Sequence, residues 1–425
     1  MPLNKPTICW VYTASAPTER MVYIFTEILE RRLHLNVLFI NDISNYATGD
    51  CLVWYSPTPI DVDLSSCFCV EKPSELLHQS GLNTTFSTPP QGDPFAECFW
   101  HLSRYEEYLL PDHLHDKHQR FPASMAYLVK TNQIQQALVD EFANTLANYW
   151  KLSLPDRCQV IPTFDLDVAW FYLNKGWARS AASFLNQLLK GNISECLLRL
   201  KVMAGLENDP AQFFDWLLQQ LGNYNLPKPK MFVLMGKRTQ YDTNNPTSNK
   251  NFQALLKQLN NHFDIGIHPS YASQSQPQKI LSEKNILESI INKNITASRQ
   301  HFIKLKLPNT YQTLIQLGIK EDYSMGYPDT IGYRASTALP FYWFNLNTNN
   351  ATSLLIQPFV TMDVTLKNYE KKSIEEAENQ LKNIKNYLKK KKLPLCFIWH
   401  NNNLSHIDEW QHWQSILINL LKDFH

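Results

Sequence analysis

Three apolar runs in this chain end on ionisable side chains, and that arrangement narrows the fold more than any other feature of the sequence. They are Pro162-Thr163-Phe164-Asp165-Leu166-Asp167, Phe263-Asp264-Ile265-Gly266-Ile267-His268 and Cys396-Phe397-Ile398-Trp399-His400. Each has the length of a buried strand. Strands buried on both faces belong in parallel sheets covered by helices, where sites gather at the carboxyl ends. Strands are accordingly predicted at Val160–Phe164, Met231–Met235, Phe263–Ile267 and Cys396–Trp399, with helices between them. Asp209-Pro210 reads as one helix start. Ser373-x-x-Glu376 reads as a capping box ahead of Ile374, Ala377, Leu381, Ile384 and Leu388. The fold class is α/β.

The same grammar occurs once before this region. Ile8–Tyr12, Asn36–Ile40 and Cys51–Tyr55 read as strands, with Met21, Val22, Ile24, Phe25, Ile28, Leu29 and Leu33 marking a helical face between the first two. Residues 70–95 read as a loop, and Ile134–Trp150 as a helix. A chain of 425 residues favours two domains. Leu154-Pro155-Asp156 is the predicted junction, giving a smaller N-terminal α/β domain (1–152) and a larger second one (153–425).

Composition removes several function classes. A net charge of +1 offers no global field for nucleic acid or an anionic membrane. Only 12 glycines are present, and neither G-x-G-x-x-G nor a Walker loop occurs. The eight cysteines are dispersed without a C-x-x-C, which suits reduced thiols and a cytoplasmic setting. No apolar run reaches the roughly 18 residues of a transmembrane helix. Ala14-Ser15-Ala16 mimics a signal-cleavage site, but the apolar stretch before it is too short and reads as a strand.

Chemistry is expected where the polar clusters fall. Besides the two aspartates, His268 and His400, Ser298-Arg299-Gln300-His301-Phe302 supplies an arginine and a histidine. Any one cluster alone reads equally well as a cap or a satisfied structural histidine; four together point to one site. Asp242 and Asp363 are either further members of it or loop caps. His113, His115 and His118 lie in a polar stretch that reads as a loop.

These clusters, in this order, resemble the NodB-homology polysaccharide deacetylases, carbohydrate esterase family 4 and its relatives. The similarity is carried by T-F-D-x-D at Thr163–Asp167, G-x-H-P-S-Y at Gly266–Tyr271, S-R-Q-H-F at Ser298–Phe302, D-Y-S-M-G-Y at Asp322–Tyr327 and W-H-N at Trp399–Asn401. S-R-Y-E-E-Y at Ser103–Tyr108 and R-F-P at Arg120–Pro122 resemble the N-terminal domain of the same bacterial branch. The resemblance spans nearly the whole chain. It implies a distorted (β/α) barrel of NodB type with seven strands. It further implies a metal-dependent hydrolase of non-peptide C–N bonds, removing N-acetyl groups from a cell-envelope amino-sugar polysaccharide or its precursor.

By position, the resemblance makes Asp167 and His268 ligands of a divalent metal, with zinc first in mind, and Asp165 the general base. Arg299 then orients Asp165, and His400 is the general acid. The family's second histidine would stand at Ala272, so His301 is the expected third ligand. The extra residue between Asp165 and Asp167 leaves base and ligand exchangeable. Tyr271, Tyr333, Arg334 and Trp399 read either as walls of a sugar groove or as core. The rival functions are a non-catalytic carbohydrate-binding protein on the same barrel, and a metal hydrolase of another small amide or a phosphoester.

Overall fold

Two sheets organise the computed structural model, which describes residues 7–47, 49–60, 66–211, 213–224, 226–405, 410 and 412–422. The smaller is parallel, with order β2-β1-β3-β4, from β1 (Ile8–Thr13), β2 (Asn36–Ile40), β3 (Cys51–Tyr55) and β4 (Cys67–Val70). The stretch expected to be loop holds a short helix, Glu75–His78, and a single turn, Thr84–Phe86. Asp93 then caps the helix Pro94–Ser103, accepting from the amides of Phe95 and Ala96.

The larger sheet holds β5 (Val160–Leu166), β6 (Lys230–Leu234), β7 (Asp264–His268), β8 (Ala297–Ser298), β9 (Glu321–Met325), β10 (Phe341–Asn345), β11 (Asn350–Pro358), β12 (Thr361–Met362) and β13 (Leu395–His400). Their order is β10-β11-β9-β8-β7-β6-β5-β13-β12, parallel throughout except for the β10–β11 hairpin. Nine strands stand where the resemblance implies seven. The hairpin adds one, and residues 350–362 break into two pieces that serve opposite edges. The sheet is curled: Phe359 N donates to Met325 O beside β9, and Val360 N donates to Cys396 O on β13.

Strand periodicity sorts the side chains. Phe164, Leu166, Met231, Val233, Ile265, Ile267, Phe397 and Trp399 enter the main core beneath the helices. The alternate positions, among them Phe232, Cys396 and Ile398, face the other way into small separate clusters. Asp165, His268 and His400 share this second parity. Two helix expectations shift. The Ile134–Trp150 helix spans Leu138–Tyr149, because Ile134 O is taken by Tyr333 N. Asp209 opens no helix; its carboxylate accepts from the amides of Phe171, Tyr172 and Leu173, and the helix begins at Phe214. The capping box at Ser373 and Glu376 is present, and all eight cysteines are free thiols.

The two sheets share one continuous core. Buried ion pairs cross between them: Arg32 binds Asp140, which in turn accepts from Thr337 Oγ1, and Glu107 binds both Arg104 and Arg334. His101 is buried in the same region, and neither ring nitrogen has a hydrogen-bond partner. Burial, seconded by Arg104, pushes its pKa down to about 3 from an ordinary 6.5. Between those values the unfolded chain binds a proton that the folded one refuses, so stability falls as pH drops, by about 1.4 kcal/mol per unit. Urea unfolding at pH 7 and pH 5 should therefore show a loss about 2 kcal/mol larger for the wild type than for His101→Leu. Equal losses in the two proteins would remove His101 as the cause.

Candidate metal centre

The parallel register aligns the carboxyl ends of β5, β7 and β13, with Asp165 beside His400 across the β5–β13 ladder. Asp165 lies on β5 and Asp167 in the bend just past its last residue, Leu166, which enters the main core while both carboxylates reach the same centre. Asp167 Oδ1 is 3.4 Å from His268 Nε2, and Asp167 Oδ2 is 3.7 Å from His301 Nε2. The ligand atoms of Asp167, His268 and His301 all lie within 4.8 Å of one another. Asp165 Oδ2 is 3.7 Å from His268 Nε2, and His400 Nε2 is 3.9 Å from a carboxylate oxygen of each aspartate.

Each imidazole is anchored through its other nitrogen. His268 Nδ1 lies 2.7 Å from the Arg299 carbonyl, which only accepts, so Nδ1 carries the hydrogen. His301 Nδ1 is 2.9 Å from Asp242 Oδ1, and His400 Nδ1 is 2.7 Å from Asp363 Oδ1. These contacts turn all three Nε2 atoms towards the aspartates, the arrangement that outer partners impose on metal-ligating histidines. Asp242 is itself fixed by the Tyr271 amide and the Thr239 hydroxyl; Asp363 is fixed by the His400 amide and the Asn403 side chain.

Arg299 is fully buried. Its Nη1 donates to Asp165 Oδ1 at 2.6 Å, its Nη2 to the Thr163 hydroxyl and its Nε to the Tyr323 carbonyl. The guanidinium lies 4.4 Å from the centre of the Phe232 ring. That ring needs a glycine opposite it: a Cβ at Gly266 would come within 2.6 Å of it. His301 is aimed by a sharp turn in which Phe302 and Ile303 both take left-handed backbone angles, φ 61° and 52°. Such angles cost bulky residues on the order of 1–3 kcal/mol, and the Arg120 guanidinium helps hold the turn by donating to the Phe302 carbonyl.

The charged groups of the cluster shift one another. Burial opposes it, but the three histidines hold the Asp167 carboxyl well below the usual carboxylate range. Burial lowers His268, outweighing Asp165 and Asp167. For His301, burial is overcome by Asp167 and Asp242, which raise it to about 9. For His400, burial is overcome by Asp363, Asp167 and Asp165, which raise it to about 10. Two buried atoms, Asp167 Oδ1 and His268 Nε2, have no hydrogen-bond partner. An unpaired buried polar atom costs about 1–3 kcal/mol, and these two face each other. Ligand atoms around a tetrahedral zinc sit about 3.3 Å apart, given bonds of about 2 Å. The residues fit a divalent ion.

A cavity of about 480 Å³ opens over this cluster, walled by Arg120, Phe302, Pro328, Met362, Tyr369 and Trp410. Arg120, the first residue of the R-F-P motif, comes from the N-terminal part of the chain, and nothing in that motif points to a place at this cavity. Four expected groove residues lie elsewhere. Tyr333 and Arg334 are buried, the latter against Glu107, and Trp399 points into the helix-side core by strand parity. Tyr271 is outside the cavity, stacked on Tyr241 with its hydroxyl on His118 Nδ1. His118 is thus a buried aromatic-cluster residue, packed on Tyr241, Tyr271 and Phe302, not part of a histidine metal set.

Residues 9–155 match DUF7033, a family of unknown function. No curated protein sequence matches the chain. Solved structures similar to it include a presumed polysaccharide deacetylase from Mycobacterium smegmatis, at 14% identity and TM-score 0.38, covering 63% of this chain and 85% of that one. PuuE allantoinase aligns at 11% identity and TM-score 0.38, covering 63% and 84%. A polysaccharide deacetylase from Bacillus cereus aligns at 13% and TM-score 0.27, covering 50% and 79%. None of these likenesses assigns chemistry to this chain, which rests on its own residues.

Proposed function

We propose that the chain is a metal-dependent hydrolase that removes N-acetyl groups from an amino-sugar polysaccharide or its precursor. The observation that carries this reading is the convergence of Asp167, His268 and His301 beside an Arg299-held Asp165 and an Asp363-held His400. Asp167, His268 and His301 would hold the ion, and one carboxylate with two imidazoles suits zinc. When bound, such an ion supplies Lewis acidity and makes water nucleophilic near neutral pH.

The protein side of the reaction follows from the two remaining groups. Asp165 has one oxygen tied to Arg299 and the other turned to the centre, so it is positioned to take the proton of an attacking water. The water oxygen bonds to the acyl carbon and the C–N bond breaks. His400 presents Nε2 to the same space, with Asp363 steadying its charged form, and delivers a proton to the departing amine. The products are acetate and a free amino sugar. Asn402 and Tyr369 on the cavity wall offer an amide and an aromatic ring to sugar hydroxyls and a pyranose face.

The test is acetate release from N-acetylhexosamine oligomers by zinc-loaded protein, run beside a generic phosphoester. Acetate without phosphate release is the expected result. Phosphate release alone would transfer the site to another hydrolase class, and neither product would leave a binding protein on the same scaffold.

A further inference from the structure

The segment joining β5 to β6 folds as a helical hairpin with its polarity reversed. In helix Trp177–Leu189 no residue is buried. Trp177, Leu189 and Leu206 are 86%, 79% and 76% exposed, and Leu185, Leu197 and Leu200 are half exposed. No other stretch of the described chain exposes as much apolar side chain. Arg199 is instead turned inward. Arg199, on helix Ile193–Met203, donates to the Ser180 carbonyl and the Ser183 hydroxyl of the first helix, and Cys196 Sγ rests on the Phe184 carbonyl. A soluble hairpin buries its leucines and solvates its arginine; this one does the opposite.

We infer that this hairpin is an interfacial anchor that lies in the surface of an anionic lipid bilayer. Charge supports that occupant. Residues 175–206 contain five basic residues, Lys175, Arg179, Lys190, Arg199 and Lys201, against one acidic residue, Glu195, which lies 3.7 Å from the buried Arg199; Lys201 lies 3.7 Å from Glu207 just beyond. Lys190 and Lys201 are exposed beside the apolar face. Apolar residues with an exposed tryptophan and a cationic border are what a headgroup layer accepts. The chain's net charge of +1 averages this patch away. A second copy fits less well. Two helices of 13 and 11 residues span about 20 Å by 20 Å, so a face-to-face dimer would bury about 800 Å² in total, below the roughly 1,200–2,000 Å² of stable interfaces, and would oppose like charges. The helices are also too short to cross a bilayer, and no described helix is long and apolar enough to do so.

The anchor leaves from the rim of the metal centre. Arg179 donates to the carbonyls of Thr243 and Asn244, next to the Asp242 that holds His301. The inference does not depend on the hydrolase reading: vesicle binding by a protein that releases no acetate leaves it intact.

Co-sedimentation of the full chain with vesicles tests it. Binding to phosphatidylcholine containing roughly one-third phosphatidylglycerol should exceed binding to phosphatidylcholine alone and should fall with added salt. The variant Trp177→Ser/Leu185→Gln/Leu189→Gln/Leu197→Gln should bind at least about tenfold more weakly, and Lys190→Glu/Lys201→Glu should lose the preference for anionic vesicles. Wild-type protein that stays in the supernatant with both vesicle types would overturn the inference. So would unchanged binding in the apolar variant, or light scattering that shows a dimer abolished by those four changes without vesicle binding. If circular dichroism shows the fourfold variant unfolded, full anionic-vesicle binding by the lysine pair variant decides against the anchor.

Discussion

Purified His268→Ala protein is expected to carry no stoichiometric zinc, whereas Asp165→Asn keeps its metal and loses turnover by about 10²–10⁴-fold. The two variants separate holding the ion from using it. His268 Nε2 is buried, unpartnered and 3.4 Å from Asp167 Oδ1. Its loss leaves one carboxylate and one imidazole, too few for a site that needs three protein ligands. Asp165 lies at the edge of the same cluster, with one oxygen committed to Arg299. Asparagine keeps its shape and a hydrogen-bond acceptor for Arg299 but cannot accept the water proton. Elemental analysis and acetate release read the two effects, with circular dichroism confirming the fold. Zinc retained at one equivalent by His268→Ala would dissolve the proposed ligand set. An Asp165→Asn protein turning over at the wild-type rate would remove the base from the mechanism while leaving the metal centre standing.

The separation of these roles bears on which parts of the site sequence alone can locate. Strand ends were legible because a buried apolar run that meets an aspartate or histidine has few other places to go. The spacing of Asp165 and Asp167, an apparent irregularity in sequence, is accommodated because the strand ends at Leu166 and the bend that follows turns Asp167 to the same centre. Strand parity separates Trp399 from His400: adjacent in sequence, they leave the strand on opposite faces, and only His400 faces the cavity. The orienting carboxylates were harder to assign. Asp242 lies on a loop and Asp363 at the helical turn directly after β12, and their partners His301 and His400 are 59 and 37 residues away, so no local pattern distinguishes them from caps. Arg120 is marked only by its R-F-P motif, which does not place it here, since its position beside Phe302 depends on how the N-terminal region meets the larger sheet. The reversed hairpin shows periodicity but not direction: 3–4 spacing marks an apolar face without saying whether that face turns inward.

How those two regions meet leads to the larger stability effect, expected at Glu107. Glu107→Ala should cost about 3–5 kcal/mol, a large part of the roughly 5–15 kcal/mol by which domains are stable. Glu107 Oε1 accepts from Arg104 Nε at 2.8 Å and Arg334 Nε at 2.7 Å, and Oε2 accepts from Arg334 Nη2 at 2.6 Å. All three side chains are buried. Burial alone would raise the Glu107 pKa, but Arg334 and Arg104 outweigh it and hold the carboxyl below its usual range. A depressed carboxyl stabilises the fold above its unfolded pKa, and that contribution disappears as pH falls through the folded value. Removing the carboxylate strands Arg334 with only a 3.4 Å contact to the Gly326 carbonyl, while Arg104 retains Glu106. The penalty is thus mainly that of one uncompensated buried guanidinium, so Glu107→Leu combined with Arg334→Met should recover most of it. Urea midpoints for the two single variants and the pair read this directly. A single-variant loss under about 1 kcal/mol would mean that water reaches Arg334 and the pair is effectively a surface bridge; a pair as unstable as Glu107→Ala would mean that packing, not the stranded charge, is what the substitution disturbs.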